Sequence, residues 1–238
     1  MSSTEIVVQA PSLDPIEELR GSLKNLYQNP EFSDLTIESR HAEYRVHKAV
    51  VCPRSDYFAA KCREPSSKGT LSLAEDDPQA VGMVIRYFYH LDYPSVSQQR
   101  DISLNGYAQA NGHSNGQTSS CHDDDFNGSI NLVLHANVYL LSKKYGISGL
   151  RALAFDKFRA GAESQWNTEE FLHAAEKVYT SCSDSNEDRE MKDIIVGIIC
   201  RHGELMDKVE MQKVIRTLPR DLMYDILLQV RQQGGFAR

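Results

Sequence analysis

The sequence has little to tie it to an oxidising compartment, a bilayer or a polyanion. Only five cysteines (Cys52, Cys62, Cys121, Cys182 and Cys200) are spread through 238 residues. An odd count at wide spacing, with no C-x-x-C pair, gives no disulfide framework and points to reduced thiols in the cytoplasm or nucleus. No apolar run approaches the roughly 20 residues a bilayer-spanning helix needs, so no membrane partner is expected. The opening MSSTEIVVQAPSLDP has neither a basic stretch nor a long apolar core, and no secretory signal is expected from it. The acceptor pattern Asn127-Gly128-Ser129 should therefore stay unglycosylated. Basic excess is also missing: 26 Lys and Arg face 33 Asp and Glu, a net charge of −7. Without a dense basic cluster such a chain is poorly suited to neutralising phosphates, which argues against nucleic acid as a partner. Neither G-x-x-x-x-G-K-[ST] nor G-x-G-x-x-G occurs, and no cofactor is expected. What is plentiful is core material: 41% of residues are hydrophobic and 25% charged, a globular balance.

Along the chain, residues 1–15 read as a disordered tail. Asp14-Pro15 is an N-cap with a first-turn proline. The helix it opens carries Ile16, Leu19, Leu23, Leu26 and Tyr27 on one stripe and ends at Asn29-Pro30. Asp34–Glu38 and Ala42–Val46 alternate as a hairpin. Residues 47–62 read as two short helices broken at Pro53, the second capped by Ser55. Leu71-Ser72-Leu73 is a short third strand. Asp77-Pro78 opens a helix with Val81, Val84, Ile85, Phe88 and Leu91 on one side.

Composition changes over 95–129, which is rich in Ser, Asn, Gln, Gly and Asp. That stretch is a low-complexity insertion, too poor in apolar groups to offset its ordering entropy. Beyond it the pattern is helical throughout. A segment at 130–145 is apolar on more than one face, and another follows at 147–160. Asn167 to Glu170 forms a capping-box pattern before Phe171. A stripe of Met191, Ile194, Ile195, Ile198 and Ile199 lies within 187–202. One or two short helices fill 205–218, and Pro219 opens a last helix.

Catalytic patterns are sparse. Gly112-His113-Ser114-Asn115-Gly116 fits the G-x-S-x-G elbow, but that elbow needs a buried strand before it and a helix after it. Neither Gln109-Ala110-Asn111 nor Gln117–Ser120 supplies one, so a serine hydrolase using Ser114 is a remote alternative. Cys121-His122-Asp123-Asp124-Asp125 has metal-ligand types without a second ligand pair, and reads as a solvated acidic turn. No catalytic, cofactor or metal residue is expected. His41 and His47 flank a strand and read as ordinary surface or capping residues. Trp166 reads as a packing residue at a domain seam.

The order helix, hairpin, two short helices, strand, helix, two helices resembles the BTB/POZ family. The carrying segments are FSDLTIE (32–38), YRVHKAVVCPRSDYFAA (44–60), LSLAEDDPQAVGMVIRYFYHLDYP (71–94) and VYLLSKKYGISGLRALAFDKF (138–158). The wording YFYHLDYP is most like the branch common in filamentous fungi. The resemblance implies an α+β fold, a small mixed sheet capped by helices at 16–160, followed by an all-helical C-terminal extension over 161–238. It implies a non-enzymatic protein-interaction scaffold or adaptor with protein partners, pairing as a homodimer through Leu19, Leu23, Leu26 and Tyr27. It also implies that Asp34 and Lys48 face one another in a partly buried charged pocket near the dimer axis. Many relatives serve cullin-based ubiquitin ligases as substrate adaptors, and the surface implied for a cullin scaffold includes Tyr57, Phe58 and Glu64. Those adaptors carry an aromatic-x-Glu turn where this chain reads Arg63-Glu64-Pro65, with no aromatic residue two places before Glu64. The sequence after 160 spells no Kelch, MATH or zinc-finger module.

Overall fold

The computed structural model describes residues 14–64, 69–95, 131–182, 186–207, 209, 212 and 215–233. The expected tail therefore lies outside the described residues up to position 13, but Pro15 does not belong to it. Helix α1 spans Pro15–Gln28, with the Asp14 carboxylate accepting from the Ile16 N–H at 2.9 Å. The proline's fixed φ and missing N–H suit the first helical position.

Strands β1 (Leu35–Glu38) and β2 (Glu43–Val46) pair antiparallel, Leu35 opposite Val46 and Ile37 opposite Tyr44. All four of those side chains point into the core, as the period of two requires. Strand β3 (Thr70–Ser72) joins the other edge of β1 in parallel, giving the order β2-β1-β3. It begins one residue earlier than the alternation predicts. Leu73 lies past its end, yet its N–H still donates to the Glu38 carbonyl at 2.7 Å.

Between β2 and β3 the chain makes α2 (Lys48–Val51), a 3-10 turn (Cys52–Arg54) and α3 (Asp56–Arg63). Proline cannot donate inside a helix, so Pro53 sits in the tighter turn. Ser55 caps α3 by accepting from the Phe58 N–H at 3.3 Å, and its hydroxyl also donates to the Tyr145 carbonyl. Helix α4 (Pro78–His90) starts with Asp77 accepting from the Ala80 N–H at 2.8 Å and ends at Leu91, which has φ 61°.

Helices α5 (Leu132–Lys144), α6 (Ser148–Gln165), α7 (Glu169–Ser181), α8 (Asn186–Arg201) and α9 (Arg220–Gln232) follow, with a second 3-10 turn at Gly203–Asp207. Eight residues of α5 are buried because α4, α6 and α7 surround it. Helix α6 runs past residue 160, so the boundary expected between domain and extension falls inside a helix. One hydrophobic cluster extends from Leu35 in β1 to Ile226 in α9.

The cap of α7 differs from the expected box. Thr168, not Asn167, accepts from the Phe171 N–H at 3.2 Å. Glu170 is thereby freed to accept from the Leu132 N–H at 2.7 Å, joining two helix starts. The insertion expected at 95–129 lies outside the described residues apart from Ser95. Its flanks are adjacent, the Asn131 N–H donating to the Ser95 carbonyl at 3.1 Å.

Candidate interaction surface

Helix α1 contains no buried residue. Its apolar stripe nonetheless divides along its length. Leu26 and Tyr27 pack against the core, and the Tyr27 ring meets Tyr89 at 5.6 Å and the edge of His90 at 4.9 Å. Leu23 is half-buried, while Ile16 and Leu19 stand 60% and 61% exposed. The stripe expected to pair with a second chain thus docks on its own domain at one end and is free at the other. Burial, with the Arg86 and Lys24 cations, pushes the His90 imidazole down to about 4, so it faces Tyr27 as a neutral ring.

Phe32 is 82% exposed and has φ 60°, in the turn entering β1. Sequence reading did not single it out, because a lone phenylalanine ahead of a strand ordinarily reads as core. A positive φ is uncommon away from glycine, and here it coincides with an aromatic ring held out into solvent.

Asp34 follows at the entrance to β1. Its Oδ1 accepts from the Lys48 backbone N–H at 2.8 Å, so it serves the open N-terminus of α2. In the single chain Asp34 is exposed and Lys48 half-buried. The two residues implied to face one another are neighbours, and the hydrogen bond joining them runs to the main chain.

His47 is buried, contrary to a surface role, and it stands at the N-cap position of α2 without a side-chain capping bond. Its N–H donates to the Tyr89 hydroxyl at 2.9 Å, and its Nδ1 lies 2.9 Å from the same oxygen. Since Tyr89 Oη accepts from the main chain, its own proton goes to Nδ1, and Nε2 carries the ring proton to the Glu31 carbonyl at 2.8 Å. One tyrosine thereby fixes the imidazole tautomer and ties α4 to the β2–α2 corner and the turn bearing Phe32. His41 is exposed beside Pro78 in a shallow pocket with Tyr44.

The surface implied for a cullin scaffold needs correction. Phe58 is fully buried, packed on Phe88 and Tyr145, and cannot belong to any surface. Along α3 the neighbouring position faces outward only in part: Tyr57 is half-buried against Tyr145 at 4.8 Å. Glu64 is exposed and pairs with Lys61 at 2.9 Å.

Ser114 and the stretch Cys121–Asp125 lie outside the described residues. Among the described residues no three His, Cys, Asp or Glu side chains converge on a metal-sized site, and no helix is long and apolar enough to cross a membrane. Trp166 stacks flat on His202 at 3.9 Å, joining the end of α6 to the end of α8.

Comparison with known proteins places a family name on this part of the chain. The family model described as the BTB/POZ domain matches residues 23–104. Kelch-like protein 40 of Homo sapiens and the protein of the same name from Mus musculus are each 32% identical over 72 residues. That match covers 30% of this chain and 12% of either relative, so this chain corresponds to a small part of their length. The matched residues hold α1's packed end, the mixed sheet and α2 to α4, which identifies residues 23–104 as a BTB/POZ domain leading into a helical C-terminal region.

Proposed function

We propose that this chain is a protein-interaction adaptor that pairs with a second copy of itself through the free end of α1. One observation carries the reading: Ile16, Leu19 and the outer side of Leu23 form an apolar strip that the chain's own core leaves uncovered, and Phe32 is exposed as well. Exposed apolar groups adjoining on one helix face mark interaction sites, and a two-fold pairing buries the same strip from both chains. Pairing would also bring Asp34 and Lys48 toward the axis and desolvate them, as the charged pocket implied by the resemblance requires. Light scattering over a micromolar range tests this. A mass of two chains is expected, and a single-chain mass at every concentration would remove the pairing.

A narrower reading, as a substrate adaptor of a cullin-based ubiquitin ligase, draws on the BTB/POZ match and on the exposed Glu64. With Phe58 buried, the face left for a cullin is Glu64 and the outer edge of Tyr57. Capture on purified cullin, beside an adaptor of known binding, decides it. The resemblance of YFYHLDYP to the branch common in filamentous fungi, and a cytoplasmic or nuclear location, rest on the sequence. The hydrolase reading at Ser114 rests on its five-residue pattern alone.

A further inference from the structure

Helix α9 has a covered side and an open one. Leu222, Asp225 and Ile226 are buried, and Asp225 holds that side to Tyr179 of α7 and Arg189 of α8. Arg220, Met223, Tyr224 and Leu227 recur at three- and four-residue steps and so share another face. Tyr224 and Leu227 are 62% and 52% exposed. Ile215 and Leu218, from the segment entering α9, lie beside them and complete a shallow groove of about 450 Å³ with an apolar floor.

The rim of this groove is positive, in a chain whose net charge is −7. Arg216 and Arg220 line it and are exposed. Among the described residues neither guanidinium pairs with a carboxylate. The start of α9 adds to that field. Pro219 stands at its N-cap and gives no side-chain hydrogen bond, so the positive end of the helix dipole is not closed by a cap. Asp221, the acid of that first turn, is not among the residues lining the groove.

Each half of the groove excludes a simple occupant. A free anion would meet the arginines and leave the apolar floor in water. A purely apolar segment would cover the floor and leave two guanidinium groups at its edge with no carboxylate to accept their N–H donors. We propose that the groove is a docking site for an acidic amphipathic segment of a partner protein. A carboxylate of that segment meets Arg216 and Arg220 at the start of α9, and large apolar side chains after it lie against Met223, Tyr224 and Leu227. Such a site is where the adaptor takes up its partner, and so it rests on that reading; it does not depend on pairing through α1.

The experiment presents a displayed library of random short peptides to the full chain. Enriched peptides are made with a fluorescein label and titrated by anisotropy. Carboxylates followed by leucine, isoleucine or aromatic residues are expected to dominate the enriched set. Arg216→Glu and Arg220→Glu, both at exposed positions, should each weaken binding by about tenfold, and added salt should weaken it too. Tyr224→Ala and Leu227→Ala should give a similar loss. Circular dichroism verifies that all four variants are folded. Leu19→Glu, altered at the free end of α1, should bind the peptides as tightly as the unaltered chain. Lost pairing with binding kept, or lost binding with the two-chain mass kept, tells the two readings apart. A peptide of residues 14–28, which sets Glu17 and Glu18 beside the exposed Ile16 and Leu19, stands in for a second copy and should not compete. The proposal is overturned if no acidic apolar sequence is enriched or if the enriched peptides bind the arginine variants unchanged. It is also overturned if the 14–28 peptide displaces them, which would make the groove a contact between copies of this chain.

Discussion

The BTB/POZ domain and the helices after it bury polar groups in opposite ways. Among the described residues, the domain's fully buried side-chain contacts are neutral: Tyr89 with His47, Ser55 with the Tyr145 carbonyl, and Tyr93 Oη with His135 Nδ1 at 3.0 Å where the domain meets α5. In the helical region α7, α8 and α9 add a charged cluster. Asp225 of α9 is buried and accepts from Tyr179 Oη of α7 at 2.8 Å and from Arg189 of α8 at 3.2 Å. Lys192 of α8, only 2% exposed, holds its ammonium over the Tyr179 ring at 5.1 Å. A neutral hydrogen bond to the main chain fixes geometry at small desolvation cost. A charge cluster gives little net stability but penalises any packing that separates its members. The domain's fully buried contacts thus fix shape, while the cluster between α7, α8 and α9 opposes a shift of those helices.

The largest expected effect breaks the charged side of that contrast. Asp225→Ala should cost roughly 3 kcal/mol, the lower end for losing one member of a buried pair because Arg189 is partly solvated. Thermal denaturation should register it as a fall of very roughly 6–12 °C. A loss below about 1 kcal/mol would mean that these charges are dispensable to the helical packing.

The second prediction probes the neutral side through pH. His135 is fully buried, and its Nε2 has no hydrogen-bond partner. Burial, reinforced by Lys157, pushes the imidazole down from 6.5 to about 4. Between those values the unfolded chain binds the proton and the folded one does not, so stability rises with pH across that window. Stability present above pH 6.5 should fall by about 3 kcal/mol on reaching pH 4. His90 acts in the same direction and, being partly exposed, adds less. Urea denaturation at stepped pH measures the slope. His135→Leu should flatten it, and an unchanged slope would place the pH dependence elsewhere.

Smaller still is Tyr89→Phe, which keeps the ring and removes the hydroxyl shared by the His47 N–H and Nδ1. Two buried groups lose a partner, a cost of about 1–3 kcal/mol. Nitrogen NMR should show His47 leaving its single Nε2–H tautomer. Retention of that tautomer would show that the Glu31 carbonyl alone fixes the ring.

What could be read from the sequence follows the same division between local and distant causes. Asp14-Pro15, Ser55 and Asp77-Pro78 each carry their capping partner within three residues, and all three helix starts stand where the pattern puts them. The β1–β2 hairpin is similarly local. The parallel pairing of β3 with β1 joins residues more than thirty positions apart, and alternation alone could not supply its register. The burial of His47 depends on Tyr89, 42 residues later. Asn167 and Thr168 are both good caps, and the Thr168 cap goes with a Glu170 bond to the Leu132 N–H across 38 residues, which the local pattern does not contain. Nothing in the sequence singles out Lys192 or Asp225, since only the packed bundle brings Tyr179 between them. At the candidate surface the α1 stripe was legible, but its division was not: Leu26 and Leu19 are identical as letters and differ only in what α4 covers.

That division gives the last prediction, in which stability barely moves. Leu19→Glu changes an exposed residue, and the melting temperature extrapolated to low concentration should stay within the shift that about 0.5 kcal/mol produces. The oligomeric mass should nevertheless fall from two chains to one, because a carboxylate replaces an apolar group at the strip left open for a second copy. Leu26→Glu forces a charge against the domain's own core and should lower the melting temperature whatever the oligomeric state. Light scattering and calorimetry on the two variants therefore separate two functions of one helix. If Leu19→Glu leaves the mass at two chains, the free end of α1 is not where copies meet, and Phe32→Ser becomes the variant to compare. If both substitutions lower the melting temperature equally, the stripe acts as one packed face and the division seen along α1 has no energetic counterpart.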